Sequence, residues 1–324
     1  MAAGREAQKG TGRKGFPVHI RTAGDETMLD SLKVTVLAED TVPYESPLLG
    51  QHGVSFWLEA ERKGHVRRIL VDVGQNPDAL LYNINQLQIP LRETDAIVLT
   101  HCHYDHTRGL AAVLKSIGKR DLPVIAHPSL FRLNFITDPF FRHVGVMQGD
   151  EADNLRKEGA ELVPAADPLQ LMPGLSTTGE VPRVTDFEEV GISLSTVTED
   201  GRIEKDLMKD DIALTARVKG LGAVVVTGCS HAGIINILRH CLKKDERLEG
   251  VIGGLHLVEA SEDRIEKTVS ALGELSPSLV AAGHCTGFRA QWALYGAFRE
   301  RFATMGSGTV FHFCAEKQEG EAKP

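Results

Sequence analysis

Hydrophobic and polar positions alternate along this chain with two different periods, and the switches between the periods outline its elements. Period-two alternation predicts strands over 33–37, 54–59 and 68–73, with Gly64 at the turn that joins the last two into a hairpin. Asp72-Val73-Gly74 closes the hairpin, and Asn76 or Asp78 can cap a helix that carries Leu80, Leu81, Ile84 and Leu87 at helical spacing. The apolar run 96–99 reads as a buried strand. Leu110, Val113, Leu114 and Ile117 mark one face of a helix that follows from Thr107, and 124–127 is the next short strand.

Between 128 and 189 the pattern turns irregular. Phe131, Phe135, Phe140 and Phe141 cluster around Pro139, a polar helix is expected over 150–158, and the stretch reads as an insertion whose aromatics either cover the core or line a substrate pocket. Alternation returns with paired strands over 212–218 and 223–226, a helix over 234–242 and a short strand at Val251-Ile252. A helix over 261–275, a strand over 279–282 and a closing helix over 291–302 follow. Strands with intervening helices, in both halves, indicate an α/β layered architecture rather than an all-β sandwich. One domain over 31–314 is expected, between a disordered tail at 1–30 and a polar tail at 315–324.

Composition changes this picture in a few ways only. A hydrophobic share of 42% suits a globular chain with a full core, and no apolar run reaches the roughly 18 residues of a membrane helix. A net charge of -8 and a pI near 5.9 argue against a nucleic-acid surface, which carries a basic stripe. Five cysteines, an odd number, form no disulfide framework, so a reduced, cytoplasmic setting is expected. The N-terminus has no apolar segment and is no secretory signal, while Arg5, Lys9, Arg13 and Lys14 outnumber Glu6 there and leave organelle targeting open.

Candidate chemistry is concentrated directly after the strand at 96–99, in Thr100-His101-Cys102-His103-Tyr104-Asp105-His106. Imidazoles two apart, His101 and His103, can project to one side of a turning chain and converge on a cation. Asp105 and His106 follow at once, so the same turn can hold a second, adjacent cation. In the second half, each buried strand ends in a Gly-rich turn bearing a histidine: Thr227-Gly228-Cys229-Ser230-His231, Gly253-Gly254-Leu255-His256 and Gly283-His284-Cys285-Thr286-Gly287. Ligands at open α/β sites lie at strand ends, where loops converge and glycine lets the backbone approach a bound group.

These motifs make the chain resemble the metallo-β-lactamase superfamily. The resemblance implies an αββα sandwich of two mixed sheets flanked by helices. It also implies one metal site of His101, His103 and His231 and another of Asp105, His106 and His284. One departure stands out, because most members carry a bridging Asp at the end of the intervening strand, where this chain has Val251-Ile252-Gly253-Gly254-Leu255-His256 and no carboxylate. His256 either compensates or touches substrate. Within the superfamily the chain resembles a dihydropteroate-synthase-like branch. That likeness is carried by Glu39-Asp40-Thr41, 52–55, 72–75, 101–109, 178–183, 210–214, 227–233, 253–257 and 283–287.

Imidazole and carboxylate ligation suits zinc first, as one or two ions, with manganese or iron where availability and geometry override affinity. Such a cation can activate water, polarise an acceptor oxygen or stabilise a departing phosphate. Both hydrolysis of a small ester, thioester, lactone or phosphodiester and group transfer follow from that chemistry. The branch implies transfer, in which an aminobenzene-type acceptor displaces pyrophosphate from a dihydropterin diphosphate. Asp105, His256 and His52 are the candidate catalytic groups. Glu180 and Arg183, on a rigid turn, and Phe131 and Phe135 are the candidate substrate contacts, with Arg183 pairing with phosphate and a Phe ring stacking on a flat substrate. A small phosphorylated molecule is the expected partner, with no nucleic acid or membrane and a homo-oligomer left open. The non-enzymatic rival is a metal-dependent redox sensor, suggested by Cys102, Cys229 and Cys285 beside the ligands. Strand alternation turns Cys102 away from the histidines, and small buried cysteines are common packing residues.

Overall fold

The computed structural model describes residues 28–190 and 193–315, so most of the 1–30 tail and of the 315–324 tail lies outside the described residues. The first half runs β1 (Ser31–Ala38), β2 (Ser55–Arg62), β3 (His65–Val71), α1 (Pro77–Gln86), β4 (Ala96–Val98), α2 (Tyr104–Thr107), α3 (Leu110–Ile117) and β5 (Leu122–Ala126). The middle adds β6 (Phe135–Ile136), β7 (Arg142–His143), α4 (Ala152–Lys157), β8 (Ala160–Pro164), β9 (Gln170–Met172), β10 (Leu175–Thr177), β11 (Leu194–Val197) and β12 (Ile203–Lys205). The second half follows with β13 (Leu214–Val218), β14 (Gly222–Val226), α5 (Ile234–Cys241), β15 (Leu248–Gly254) and α6 (Glu262–Leu275). It closes with β16 (Leu279–Gly283), α7 (Gly287–Phe298), β17 (Phe302–Thr304) and β18 (Val310–Cys314).

Period-two alternation places one set of apolar side chains on each face of a central sheet. Phe56, Leu58, Ile69, Val71, Ala96 and Val98 point inward and pack against Leu214, Ala216, Val224 and Val226 of a second sheet. The residues between them, Trp57, Leu70 and Ile97, pack under Leu80 and Ile84 of α1 and Leu110, Val113 and Leu114 of α3. On the far side, Val225, Val251 and Val280 are covered in the same way by α5, α6 and α7. Each such side chain stabilises the fold by about 1.5–3 kcal/mol when fully buried, so strands apolar on both faces hold the middle layers.

The result is the expected αββα sandwich. Its sheets run β18-β1-β2-β3-β4-β5-β8 and β17-β16-β15-β14-β13-β10-β9. Both are mixed, with antiparallel pairs at one end and parallel pairs, β3-β4-β5-β8 and β14-β15-β16-β17, at the other. The parallel strands deliver their C-terminal ends to one edge of the sandwich, and the loops leaving that edge carry the histidines.

Two expectations change. The closing helix spans Gly287–Phe298, not 291–302. Ala290, Leu294 and Phe298 are its buried stripe, and Phe302 continues the four-residue spacing, but Arg299 turns to a φ of 53° and Phe302 opens β17. The stretch 128–189, expected as an insertion, supplies β8 to the first sheet and β9 and β10 to the second. Its remaining strands, β6 and β7, join β11 and β12 in a small four-stranded sheet. Among the described residues no helix is long and apolar enough to cross a membrane.

Candidate metal centre

Asp72 organises the site from below. It stands just after β3 with a φ of 53°, fully buried, and one carboxylate oxygen accepts the Thr100 N–H at 2.7 Å. The other accepts the Thr100 hydroxyl at 2.7 Å and His106 Nδ1–H at 2.7 Å. These bonds determine the tautomers of the cluster. Thr100 Oγ1 has given its one hydrogen to Asp72, so it can only accept from His101 Nδ1 at 3.0 Å, which leaves His101 Nε2 a bare lone pair. That atom is buried and has no partner. His103 Nε2 lies 3.2 Å from Asn134 Oδ1, whose amide nitrogen donates to Asp206 at 2.7 Å, so His103 presents Nδ1. His284 Nδ1 lies 3.2 Å from Asp40 Oδ1 and presents Nε2. His101, His103, His106 and His284 are thus each held by an outer partner with the free nitrogen turned inward, the arrangement that orients metal-binding histidines, while His231 Nδ1 is buried without a hydrogen-bond partner.

The inward atoms fall into two groups. His103 Nδ1 and His231 Nε2 are 3.2 Å apart, and the rings of His101, His103 and His231 stand 4.7–4.8 Å from one another. In the neighbouring group Asp105 Oδ2 is 3.2 Å from His284 Nε2 and 3.5 Å from His106 Nε2. Donor atoms around a tetrahedral ion with bonds of about 2.0–2.1 Å lie about 3.3–3.4 Å apart, close to the His103–His231 contact of 3.2 Å in the first group and the Asp105 contacts of 3.2 and 3.5 Å in the second, and His101 and His231 lie with Cys229 in one set of donors within 4.8 Å of one another. The His101 and His106 rings, one from each group, are 4.1 Å apart.

Electrostatics differ between the two groups. Burial holds His101 and His231 well below the ordinary imidazole range and brings His103 down to about 4, so all three are neutral ligands at neutral pH. Burial opposes charge on His106 and His284 as well, but Asp105 and Asp72 outweigh it for His106, and the Cys285 sulfur, Asp105 and Asp40 outweigh it for His284, so both are raised. Asp105 is correspondingly held below the usual carboxylate range, its own burial outweighed by His106 and His284. A cation in this second group therefore displaces imidazole protons, and one in the first does not.

A match to the family model described as the metallo-beta-lactamase superfamily covers residues 48–190, which include the His101 to His106 cluster. The chain is similar over nearly its whole length to the 7,8-dihydropterin-6-methyl-4-(beta-D-ribofuranosyl)-aminobenzene-5'-phosphate synthase of Methanocaldococcus jannaschii. They are 36% identical, over 88% of this chain and 98% of that one. The chain belongs to the metallo-β-lactamase superfamily. A second, uncharacterised M. jannaschii protein is 32% identical over 79% of this chain and 91% of its own. Among solved structures, Tm1679, a metal-dependent hydrolase of the β-lactamase superfamily, matches with a TM-score of 0.72 and 26% identity, over 86% of this chain and 98% of that one.

A cavity of about 500 Å³ opens on the two groups of ligands of this metallo-β-lactamase fold. Its walls include His52, Tyr104, Arg142 and His256. His52, half exposed, lies 3.4 Å from Asp40 and 3.5 Å from Asp105. His256 stands at a φ of 43° after β15, its ring 4.1 Å from that of His231, and neither ring nitrogen has a hydrogen-bond partner.

The four residues expected at the substrate do not line this cavity. Arg183 donates to the carbonyls of His231 (2.7 Å) and Leu207 instead, so its guanidinium is committed to the backbone. Glu180 faces His127 and Lys209. Phe135 is buried against Phe141, and Phe131 is partly exposed elsewhere. Arg142, which pairs with Ile136 through its backbone, is the arginine at the cavity, and among the described residues its side chain makes no hydrogen bond or ion pair. Cys102 lies in the apolar layer under α3, away from the ligands. Asp40, Asp72, Asn134, Arg142 and Cys229 were not legible as site residues one by one. Asp40, Asp72 and Cys229 fell within stretches that carried the family resemblance, which is the signal that marked them.

One backbone contact ties the second half of the ligand set to the first sheet. Gly53, at a φ of 104°, passes so close to the metal loop that a Cβ there would sit 1.9 Å from the Asp105 carbonyl oxygen. Gly53→Ala is expected to lower stability by about 1–3 kcal/mol or more, from the positive φ and the overlap together. Thermal unfolding measures this, and an unchanged midpoint would contradict the close approach.

Proposed function

We propose that this protein is a metal-dependent transferase that joins a dihydropterin diphosphate to an aminobenzene-type acceptor. The single observation that carries the reading is the end-to-end similarity to the M. jannaschii synthase, with no part of that protein's length left unmatched beyond 2%. His101, His103 and His231 would hold one ion, and Asp105, His106 and His284 a second. Zinc is the first choice for such ligands. Bound there, the ions supply Lewis acidity toward a departing phosphate oxygen.

The chain's own groups account for the rest. The acceptor forms a bond to the pterin methylene carbon as the carbon–oxygen bond to the diphosphate breaks, and pyrophosphate leaves with that electron pair. The acceptor gives up one proton. His256 and His52 line the cavity and are the imidazoles placed to receive it, His52 through whichever ring nitrogen faces the acceptor. Arg142, whose side chain has no hydrogen bond or ion pair among the described residues, is suited to the leaving phosphate, the role sequence reasoning gave to Arg183. Tyr104, Ile136 and Val258 offer the apolar and aromatic surface a flat ring needs.

A second reading, hydrolysis of a small phosphorylated or ester substrate, is favoured by the likeness to a metal-dependent hydrolase. Pyrophosphate release from dihydropterin diphosphate, followed with and without an aminobenzoate-type acceptor, separates the two. Release that requires the acceptor is the expected result. Release without it supports hydrolysis, and no release from a preparation that cleaves a generic ester discards the pterin substrate.

A further inference from the structure

We infer that Cys229 is a direct ligand shared by both cation positions, in the place left by the missing strand-end carboxylate. The inference rests on the reading of this site as a metal centre and goes beyond it by assigning a thiolate to a ligand set otherwise built of imidazoles and carboxylate.

Four observations converge on this sulfur. Cys229 Sγ, Asp105, His106 and His284 offer donor atoms that all lie within 4.8 Å of one another, and so do Cys229, His101 and His231. Cys229 is the only residue in both groups. His106 Nδ1 is taken by Asp72, and its remaining nitrogen, Nε2, lies 3.1 Å from Cys229 Sγ. His101 Nε2, buried and without a hydrogen-bond partner, belongs to the other group.

The surroundings argue against a packing role. Cys102, which does pack, sits among apolar side chains in the layer beneath α3. Cys229 is equally buried but belongs to none of the three apolar layers, and its neighbours are imidazole nitrogens, a carboxylate and the Cys285 thiol. A neutral thiol gains little there, whereas a thiolate is a strong ligand for a borderline-soft cation. A thiolate at Cys229 would be within reach of both groups of donors and would supply a sulfur ligand to the ion in either. Binding of a divalent ion releases the thiol proton to solvent.

The backbone supports the placement. Gly228, before Cys229, is pressed so closely on Thr100 and Asp72 that a Cβ would lie 2.1 Å from Thr100 Oγ1. The Cys229 turn is thereby fixed against the same carboxylate that orients His106.

Cobalt(II) tests this without reference to turnover. Metal-free protein titrated with cobalt should develop visible ligand-field absorption, which reports the histidine site, and a near-ultraviolet sulfur-to-cobalt charge-transfer band, which reports a thiolate ligand. Cys229→Ser should keep the ligand-field absorption, lose the charge-transfer band and bind its second equivalent at least about tenfold more weakly. Cys285→Ser, whose sulfur lines the cavity and lies within 4.8 Å of Cys229 and His256 but shares no donor set with His101, His231, His106 or His284, should keep the band. Cobalt binding with no charge-transfer band in the wild type overturns the inference while leaving the metal centre intact. So does a band that survives Cys229→Ser or disappears in Cys285→Ser. Failure of the wild type to bind cobalt at all overturns both.

Discussion

His101→Ala is expected to leave the protein nearly free of metal and without turnover, while His284→Ala retains about one equivalent. The asymmetry comes from the two groups' different environments. His101, His103 and His231 are neutral before any ion arrives, because burial disfavours their charged forms, so no imidazole proton has to be displaced when they bind. His106 and His284 are paired with carboxylates that favour their protonated forms, and a cation must compete with those protons. Removing one nitrogen from the first group takes away a direct ligand, and even a supporting contact costs about 10–100-fold in affinity. The loss for His101→Ala should therefore exceed about 100-fold. Metal analysis after gel filtration, alongside far-ultraviolet circular dichroism to verify folding, measures both variants. Equal metal content in the two would show that the sites do not load in this order.

Asp72→Ala should affect folding and metal binding together. The carboxylate is fully buried and accepts three hydrogen bonds of 2.7 Å, from the Thr100 N–H, the Thr100 hydroxyl and His106 Nδ1. Each buried donor left without an acceptor costs about 1–3 kcal/mol, so the variant should lose about 3 kcal/mol or more. His106 also loses the contact that fixes its tautomer, and metal affinity in its group should fall about 10–100-fold. Asp72→Asn is the sharper variant because it preserves shape. Its amide offers an oxygen to one side only, so at least one of the three donors meets an N–H. Chemical denaturation and metal titration should both register the change, and an Asp72→Asn protein as stable and as tight-binding as the wild type would remove Asp72 from the centre's support.

Much of the first-layer chemistry was legible in the sequence because it is local. His101, His103, Asp105 and His106 lie within six positions, and a chain that leaves a buried strand and turns has few ways to keep them apart. The strands and helices of the two halves were legible for a similar reason, since alternation of apolar residues follows from which face each position shows. Their limits were less so. Phe302 keeps the spacing of the α7 stripe, and only the turn at Arg299 assigns it to a strand. β18 pairs with β1, its partner at the far end of the chain, and such a pairing leaves no local mark.

By itself, then, the sequence determined which residues are candidate metal ligands, which faces are apolar and that strands and helices are layered. Those properties depend on side-chain type and on spacing within one element. The tertiary structure alone decided the partners. It set Asp72 against His106, 34 positions away, Asp40 against His284 and Cys229 against His106, 123 positions away. It also turned Arg183 toward backbone carbonyls and put Arg142 at the cavity. Direction and distance between elements depend on how two sheets pack, which no local pattern encodes. The same residue type can therefore serve as a ligand, as the support of a ligand or as part of a wall, according to where the packed layers bring it.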